Sequence, residues 1–223
     1  MTATLFSTIQ RIVQEELGRV RTAELATVQE QHPHEGDSDT DNYSCTVALR
    51  NSGIVLKNVP IATPRIGSAH VPAVGSLVLV QFVGGDVNAP VVVGSMYSDE
   101  ERPPVNKDGQ AVLHLPLDAG DDDAVHFELS TGDTREMILK MGSGLELTLR
   151  DDDPVVELKV DGGKATLQID RDGAITVESQ GKVELKAKEL SVESQGKVSL
   201  KGSEVSIEAQ GTTTIKGATV NIN

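Results

Sequence analysis

Along most of this chain apolar and polar residues alternate one by one, the pattern of a strand with one buried face; only the N-terminus keeps a helical period. There Leu5, Ile9, Ile12 (with Val13) and Leu17 recur at helical spacing. Ser7 and Gln10 suit a capping box and Gly18 suits a helix end. The pattern predicts one short amphipathic helix over residues 1–18. Its apolar stripe either packs on its own domain or docks on a partner subunit.

From Arg19 the texture changes. Alternation predicts strands over 20–28, 43–50, 54–59, 77–83 and 91–97, with a polar, acidic loop over 31–42. Gly53, Gly75, Gly84, Gly85 and Gly94 punctuate them. Five strands in a stretch this short suit a small barrel of the oligonucleotide/oligosaccharide-binding (OB) type over 19–98. A linker over 99–110 carries Pro103 and Pro104. From 111 to 223 everything reads as strand and turn, with strands at 125–129, 136–141, 145–149, 155–160 and 165–169 separated in the later part by Asp- and Gly-rich turns.

After Ala174 the chain repeats. ESQGKV stands at 178–183 and again at 193–198, and a degenerate copy, EAQGTT, at 208–213, so the period is 15 residues. Ile175, Leu190, Val205 and Val220 are equivalent, as are Val177, Val192, Ile207 and Ile222. Val183 and Val198 match, Leu185, Leu200 and Ile215 complete the apolar set, and Lys186, Lys201 and Lys216 share an outward position. Each unit reads as two strands and two tight turns, one turn at Gly181, Gly196 or Gly211.

Such a strand is too poor to stand alone. It offers two inward aliphatics, each contributing about 1.5–3 kcal/mol when buried. Ordering its residues costs about 1–2 kcal/mol apiece. Cover must come from other strands, of the same chain or of identical chains. A single-chain solenoid fits less well, because a triangular coil needs three corners and each unit marks two. Three chains wound about one axis fit better. Ile175, Val177, Val183, Leu185, Leu190, Val192, Val198, Leu200, Val205, Ile207 and Ile215 would then fill the axis, with Glu and Lys outside.

Composition sharpens this picture. Aromatic residues make up 2% of the chain and Trp is absent, which suits a narrow aliphatic core rather than a thick globular one. The net charge of −14 lies upstream of the repeat, and so acidic a chain repels phosphate backbones, which argues against nucleic acid as a partner. Cys45 is the only cysteine, so no internal disulfide is possible, and it reads as a small buried strand residue. No apolar run approaches the roughly 18 residues of a membrane span. Arg11, Glu15, Glu16 and Arg19 interrupt the N-terminus, so no secretory signal is expected.

One stretch is recognisable: PAVGSLVLVQFVGGDVNAPVVVGSMY, residues 72–97. Pro72 and Gly75 precede a hydrophobic strand ending in Phe82; an acidic-Gly turn with Gly85 and Asp86 follows; Pro90 opens a Val run that leads to Gly94 and Tyr97. This resembles the OB domain of spike proteins in contractile injection machines, as in baseplate assembly protein V of contractile-tailed phages and the VgrG spike of type VI secretion. The order of barrel, then β-rod, resembles the same family. The resemblance implies a mainly β homotrimer with an OB collar and an intertwined triple-stranded β-helix needle over 111–223.

Departures from the family carry further expectations. No hub domain precedes the barrel, so a separate trimeric hub protein is expected, with Leu5, Ile9, Ile12 and Leu17 as its contact. The linker is too short for a lysozyme domain. No His follows His126, which excludes a His-x-His metal tip and implies a blunt end at Thr219, Val220, Asn221, Ile222 and Asn223 for a PAAR-type tip protein. The resemblance implies assembly in the producer cytoplasm, residence in the baseplate of a virion or contractile particle, and transient contact with a target envelope on firing.

Candidate chemistry is sparse. His32 and His34 flank Pro33 beside Glu35 and Asp37, a set able to hold a transition metal but more simply an exposed loop. Asp151, Asp152, Asp153, Asp170 and Asp172 could attract calcium, without the spacing of an EF-hand. The carboxylates of Glu128 and Glu136 have no evident cleft. The expectation is therefore a non-enzymatic protein with no catalytic residue, metal or cofactor. The rival is a tailspike-like β-helical enzyme acting on cell-surface polysaccharide or peptidoglycan.

Overall fold

The computed structural model describes residues 2–19, 21–40 and 42–221. A single helix, α1 (Thr2–Arg19), opens the chain. It begins before Ser7, so Ser7 and Gln10 lie inside the helix rather than forming its cap. Arg11 and Glu15, one turn apart, are paired at 3.7 Å. Leu5, Phe6, Ile9, Ile12 and Val13 are all exposed; the side chain of Leu17 lies outside the described residues.

Five strands follow: β1 (Ala23–His32), β2 (Ser44–Leu49), β3 (Val55–Pro60), β4 (Leu77–Phe82) and β5 (Pro90–Met96). They form an antiparallel sheet in the order β3-β2-β1-β4-β5. A parallel bridge between Ile61 and Val92 joins its two edges, and the Ala62 N–H donates to the Val92 carbonyl at 2.8 Å. That closure turns a sheet into the OB barrel expected from the sequence. Alternate residues point inward: Ala26 and Val28, Cys45, Val47 and Leu49, Val78, Val80 and Phe82, with Val59 and Val92, make one buried cluster. Strand β1 runs to His32, further than alternation predicts, because a bulge between Val28 and Glu30 shifts its register on β2 and hides the continuation.

A second antiparallel sheet comprises β6 (Gln110–Leu115), β7 (Val125–Thr131), β8 (Arg135–Met141), β9 (Leu145–Arg150), β10 (Val156–Val160), β11 (Ala165–Ile169) and β12 (Ile175–Ser179). Its seven strands stand in simple chain order. Here one expectation is corrected. Strands wound between chains were expected from residue 111, but over 110–179 each strand pairs with its own sequence neighbour. Short turns between consecutive strands make that hairpin pairing the nearest available. Strand β6 also begins inside the segment read as a linker.

Because the pairing is in register, every strand sends the same face to the same side. Leu113, Phe127, Leu139, Leu147, Leu158, Leu167 and Val177 form one continuous row across the sheet. Leu115, Val125, Met141, Leu145 and Val160 lie along one flank of it, and Leu129, Met137, Leu149, Val156, Ile169 and Ile175 along the other. The opposite face is polar. At its centre Glu157 is buried, accepting from Gln168 Nε2 at 2.8 Å and facing Lys159 Nζ at 2.8 Å and Arg150 Nη2 at 3.0 Å. The bond from Lys159, more than the other partners, holds the Glu157 carboxyl below its ordinary range against the opposing effect of burial.

Residues 182–223 form a separate unit. Its described residues, 182–221, carry no regular strand, and all of them are exposed. The turn at the glycine is nevertheless reproduced in the first two copies of the repeat. The Gly181 N–H donates to Ser179 Oγ at 3.1 Å, and the Gly196 N–H donates to Ser194 Oγ at 3.3 Å.

Candidate functional site

Isolated chemical groups are already engaged within the chain. His32 Nε2 lies 3.0 Å from Thr46 Oγ1, across the β1–β2 ladder, while His34 Nδ1 lies 2.8 Å from Asp39 Oδ1 in the loop. The two rings therefore turn to different partners, and the His-x-His spelling does not converge. Asp39 closes its loop by accepting from the backbone N–H groups of Glu35 (2.5 Å) and Gly36 (2.9 Å) as well. These bonds, that of His34 foremost, bring its carboxyl down to about 2. A carbon-detected titration of Asp39 should show that midpoint, and in His34→Ala it should rise toward the ordinary 3.8. Since the folded value lies below the unfolded one, whatever Asp39 contributes to loop order is present above the unfolded value and is lost as pH falls through about 2.

The Asp-rich turns are likewise committed. Asp153 Oδ1 accepts from the Arg171 N–H at 2.7 Å, and Asp151 Oδ2 meets Arg135 Nε at 2.5 Å. Asp172 Oδ1 caps its own turn through the Ala174 N–H at 3.1 Å, and the Arg171 guanidinium donates to the Asp151 carbonyl. Glu128 and Glu136 do not act as a pair. Glu128 accepts from Gln110 at 2.7 Å, while Glu136 lies 3.6 Å from Arg150. Cys45 is fully buried in the barrel, and burial pushes its thiol up.

What the chain leaves unsatisfied is apolar surface. On the second sheet Leu113, Leu115, Val125, Leu129, Met141, Val160, Ile175 and Val177 are exposed. Sheets normally bury such a face against another layer. In the repeat, Leu185, Leu200 and Ile215, at equivalent positions, are 77%, 76% and 69% exposed. Val183, Leu190, Val192, Val198, Val205 and Ile207 are exposed with them. These are the residues expected to fill a three-chain axis, and the single chain covers none of them. Of the expected tip platform, Thr219, Val220 and Asn221 are exposed; Ile222 and Asn223 lie outside the described residues. Sequence reasoning missed the central row from Leu113 to Leu167 as one surface. Its signal was the alternation, but only the in-register hairpins align the strands.

The barrel carries the recognisable segment in working order. Gly75 sits at φ +95° and its N–H donates to the Val28 carbonyl at 2.9 Å, a geometry that favours glycine. Gln31 Nε2 donates to the Pro72 carbonyl at 2.8 Å. Phe82 ends β4 in the core, and Gly84 and Gly85 turn the chain at φ +63° and +79°. Asp86 Oδ1 accepts from the Asn88 N–H at 2.9 Å, and Pro90 opens β5. Gly94 lies in β5 just past a register shift against β4, and Tyr97 stands exposed beyond the strand.

Residues 51–97 match the family model of the type VI secretion system/phage-baseplate injector OB domain. This barrel is similar to the injector OB domain. The matched stretch contains β3, β4, β5 and every residue of the recognisable segment. No curated protein matches the chain. The injector-type barrel supports, at this coarse level, a structural role in a phage baseplate or a type VI secretion injector, among other tail or baseplate components. No helix among the described residues is long and apolar enough to cross a membrane.

Proposed function

We propose that this chain is the central spike of a contractile phage tail or related injection machine, a structural homotrimer and not an enzyme. The observation that carries the reading is the uncovered apolar surface downstream of an injector-type barrel. A face of this size on a seven-stranded sheet and a repeat whose described aliphatics are open cannot be left to water in a stable protein. Identical copies are the natural cover, since each brings the same unsatisfied face. Three sheets turned inward would bury the rows of Leu113 to Val177 about a common axis. Over 182–223 the three chains would wind together, supplying one another with the backbone partners that the single chain lacks.

Function then follows from mechanics. Sheath contraction drives the tube forward, and the needle must pierce an envelope without buckling. Wound chains resist unravelling because each edge is paired. The exposed stripe of α1, Leu5, Ile9 and Ile12, would seat the trimer on a separate hub. The end at Thr219 to Asn223 would present a blunt platform for a PAAR-type tip. Deleting residues 219–223 should leave the oligomeric mass per truncated chain unchanged. It should also abolish capture of a tagged PAAR-type protein. Retained capture would remove the platform from the reading.

A further inference from the structure

The polar face of the second sheet brings two histidines together. His114 in β6 and His126 in β7 are directly opposed. Their half-buried rings meet edge to face, with centroids 5.6 Å apart and planes at 69°. His114 Nε2 lies 2.9 Å from the Ala119 carbonyl. A carbonyl only accepts, so this nitrogen carries the proton. His126 Nε2 lies 3.5 Å from Glu128 Oε2, and a carboxylate favours N–H there too. The other Glu128 oxygen accepts from Gln110 at 2.7 Å, which fixes the carboxylate in place.

With both Nε2 atoms protonated and the rings neutral, the two Nδ1 atoms present lone pairs to each other across 3.3 Å; in the other tautomer of His126 they share one hydrogen bond. Facing lone pairs repel, and a cation between them removes the repulsion. The separation also suits one. Two nitrogens on a tetrahedral ion with bonds of about 2.0–2.1 Å stand about 3.3 Å apart. A backbone carbonyl behind one ligating imidazole and a carboxylate behind the other are the usual outer partners of such a site.

The geometry points to a two-nitrogen site for a divalent transition metal of the zinc, nickel or copper class, held by His114 Nδ1 and His126 Nδ1. No third His, Cys, Asp or Glu converges on it among the described residues, so its other positions belong to water. Lys140 stands opposite His126 in the neighbouring strand, its ammonium 3.7 Å from the Glu146 carboxylate, which partly neutralises the nearest competing charge. The bound ion would clip edge strand β6 to β7. The site is distinct from His32 and His34, whose rings face other partners.

The test is a calorimetric titration of the full-length assembled protein with Zn²⁺ alone. One ion per chain is expected, with affinity at least tenfold weaker in His114→Gln and in His126→Gln and unchanged in His34→Gln. Nitrogen-15 spectra of the unsubstituted protein supply a readout that survives if a variant fails to fold: Zn²⁺ should shift the Nδ1 resonances of His114 and His126. Unmoved Nδ1 signals, or binding that persists in both glutamine variants, overturns the assignment.

Discussion

Val192→Asp is expected to abolish assembly. Val192 is 73% exposed in the single chain and sits at the repeat position expected to face inward, equivalent to Val177 and Ile207. In a three-chain axis the substitution brings three carboxylates together in an apolar interior. Each loses the about 1.5–3 kcal/mol that burying an aliphatic side chain contributes. Each also adds the desolvation of a charge, several kcal/mol even after relaxation. The repeat units are short, so nothing nearby offsets a loss of that size. Light scattering should report chains of 23.7 kDa in place of trimers near 71 kDa. Lys201→Gln, at the outward position, should leave the trimer intact. A stable, SDS-resistant trimer formed by Val192→Asp would remove this axis from the account.

Leu147→Asp is expected to break the same assembly while sparing the fold of the chain. Leu147 lies on β9, the middle strand of the seven, in the row that runs from Leu113 to Val177. The strands of this sheet pair within one chain, so their hydrogen bonds do not depend on a partner copy. Only the cover proposed for the apolar face would. Circular dichroism at low temperature should therefore keep its strand signal, while the mass falls to that of one chain. The paired control is Thr166→Asp, on the polar face beside Lys159, which should assemble normally. If Leu147→Asp remains a trimer of unchanged melting temperature, the leucine row faces solvent and the packing proposed for the sheets is wrong.

The contrast between these two variants marks where the sequence is informative. Alternation is a local property, so the inward residues of the barrel, Val47, Leu49, Val78 and Val80, are legible without any structure, and they are buried. The motif around Gly75, Gly84 and Pro90 is legible for a similar reason: a positive φ or a missing N–H restricts the residue itself. Pairing partners are not local. A strand such as Leu145–Arg150 shows the same alternation whether its neighbour belongs to its own chain or to another. The expectation of strands wound between chains therefore began at residue 111, where the strands up to Ser179 pair within the chain. The bulge after Val28 hid the end of β1 because an extra residue breaks the period there.

The histidine pair shows a further limit. His114 and His126 are separated by a turn rather than by any ligand spacing, and only the β6–β7 register brings them opposite each other. Conversely, His32 and His34 had the spelling of a site and have been turned apart by Thr46 and Asp39. In a protein built of hairpins, cross-strand partners matter more than sequence neighbours.

The central claim is that this chain completes its apolar surfaces with two further copies of itself. Multi-angle light scattering on the purified protein at sub-micromolar concentration tests it most directly. The account predicts a single species near 71 kDa, three times the 23.7 kDa of one chain, with no detectable monomer. A folded, monodisperse 23.7 kDa monomer with a cooperative melt would contradict it.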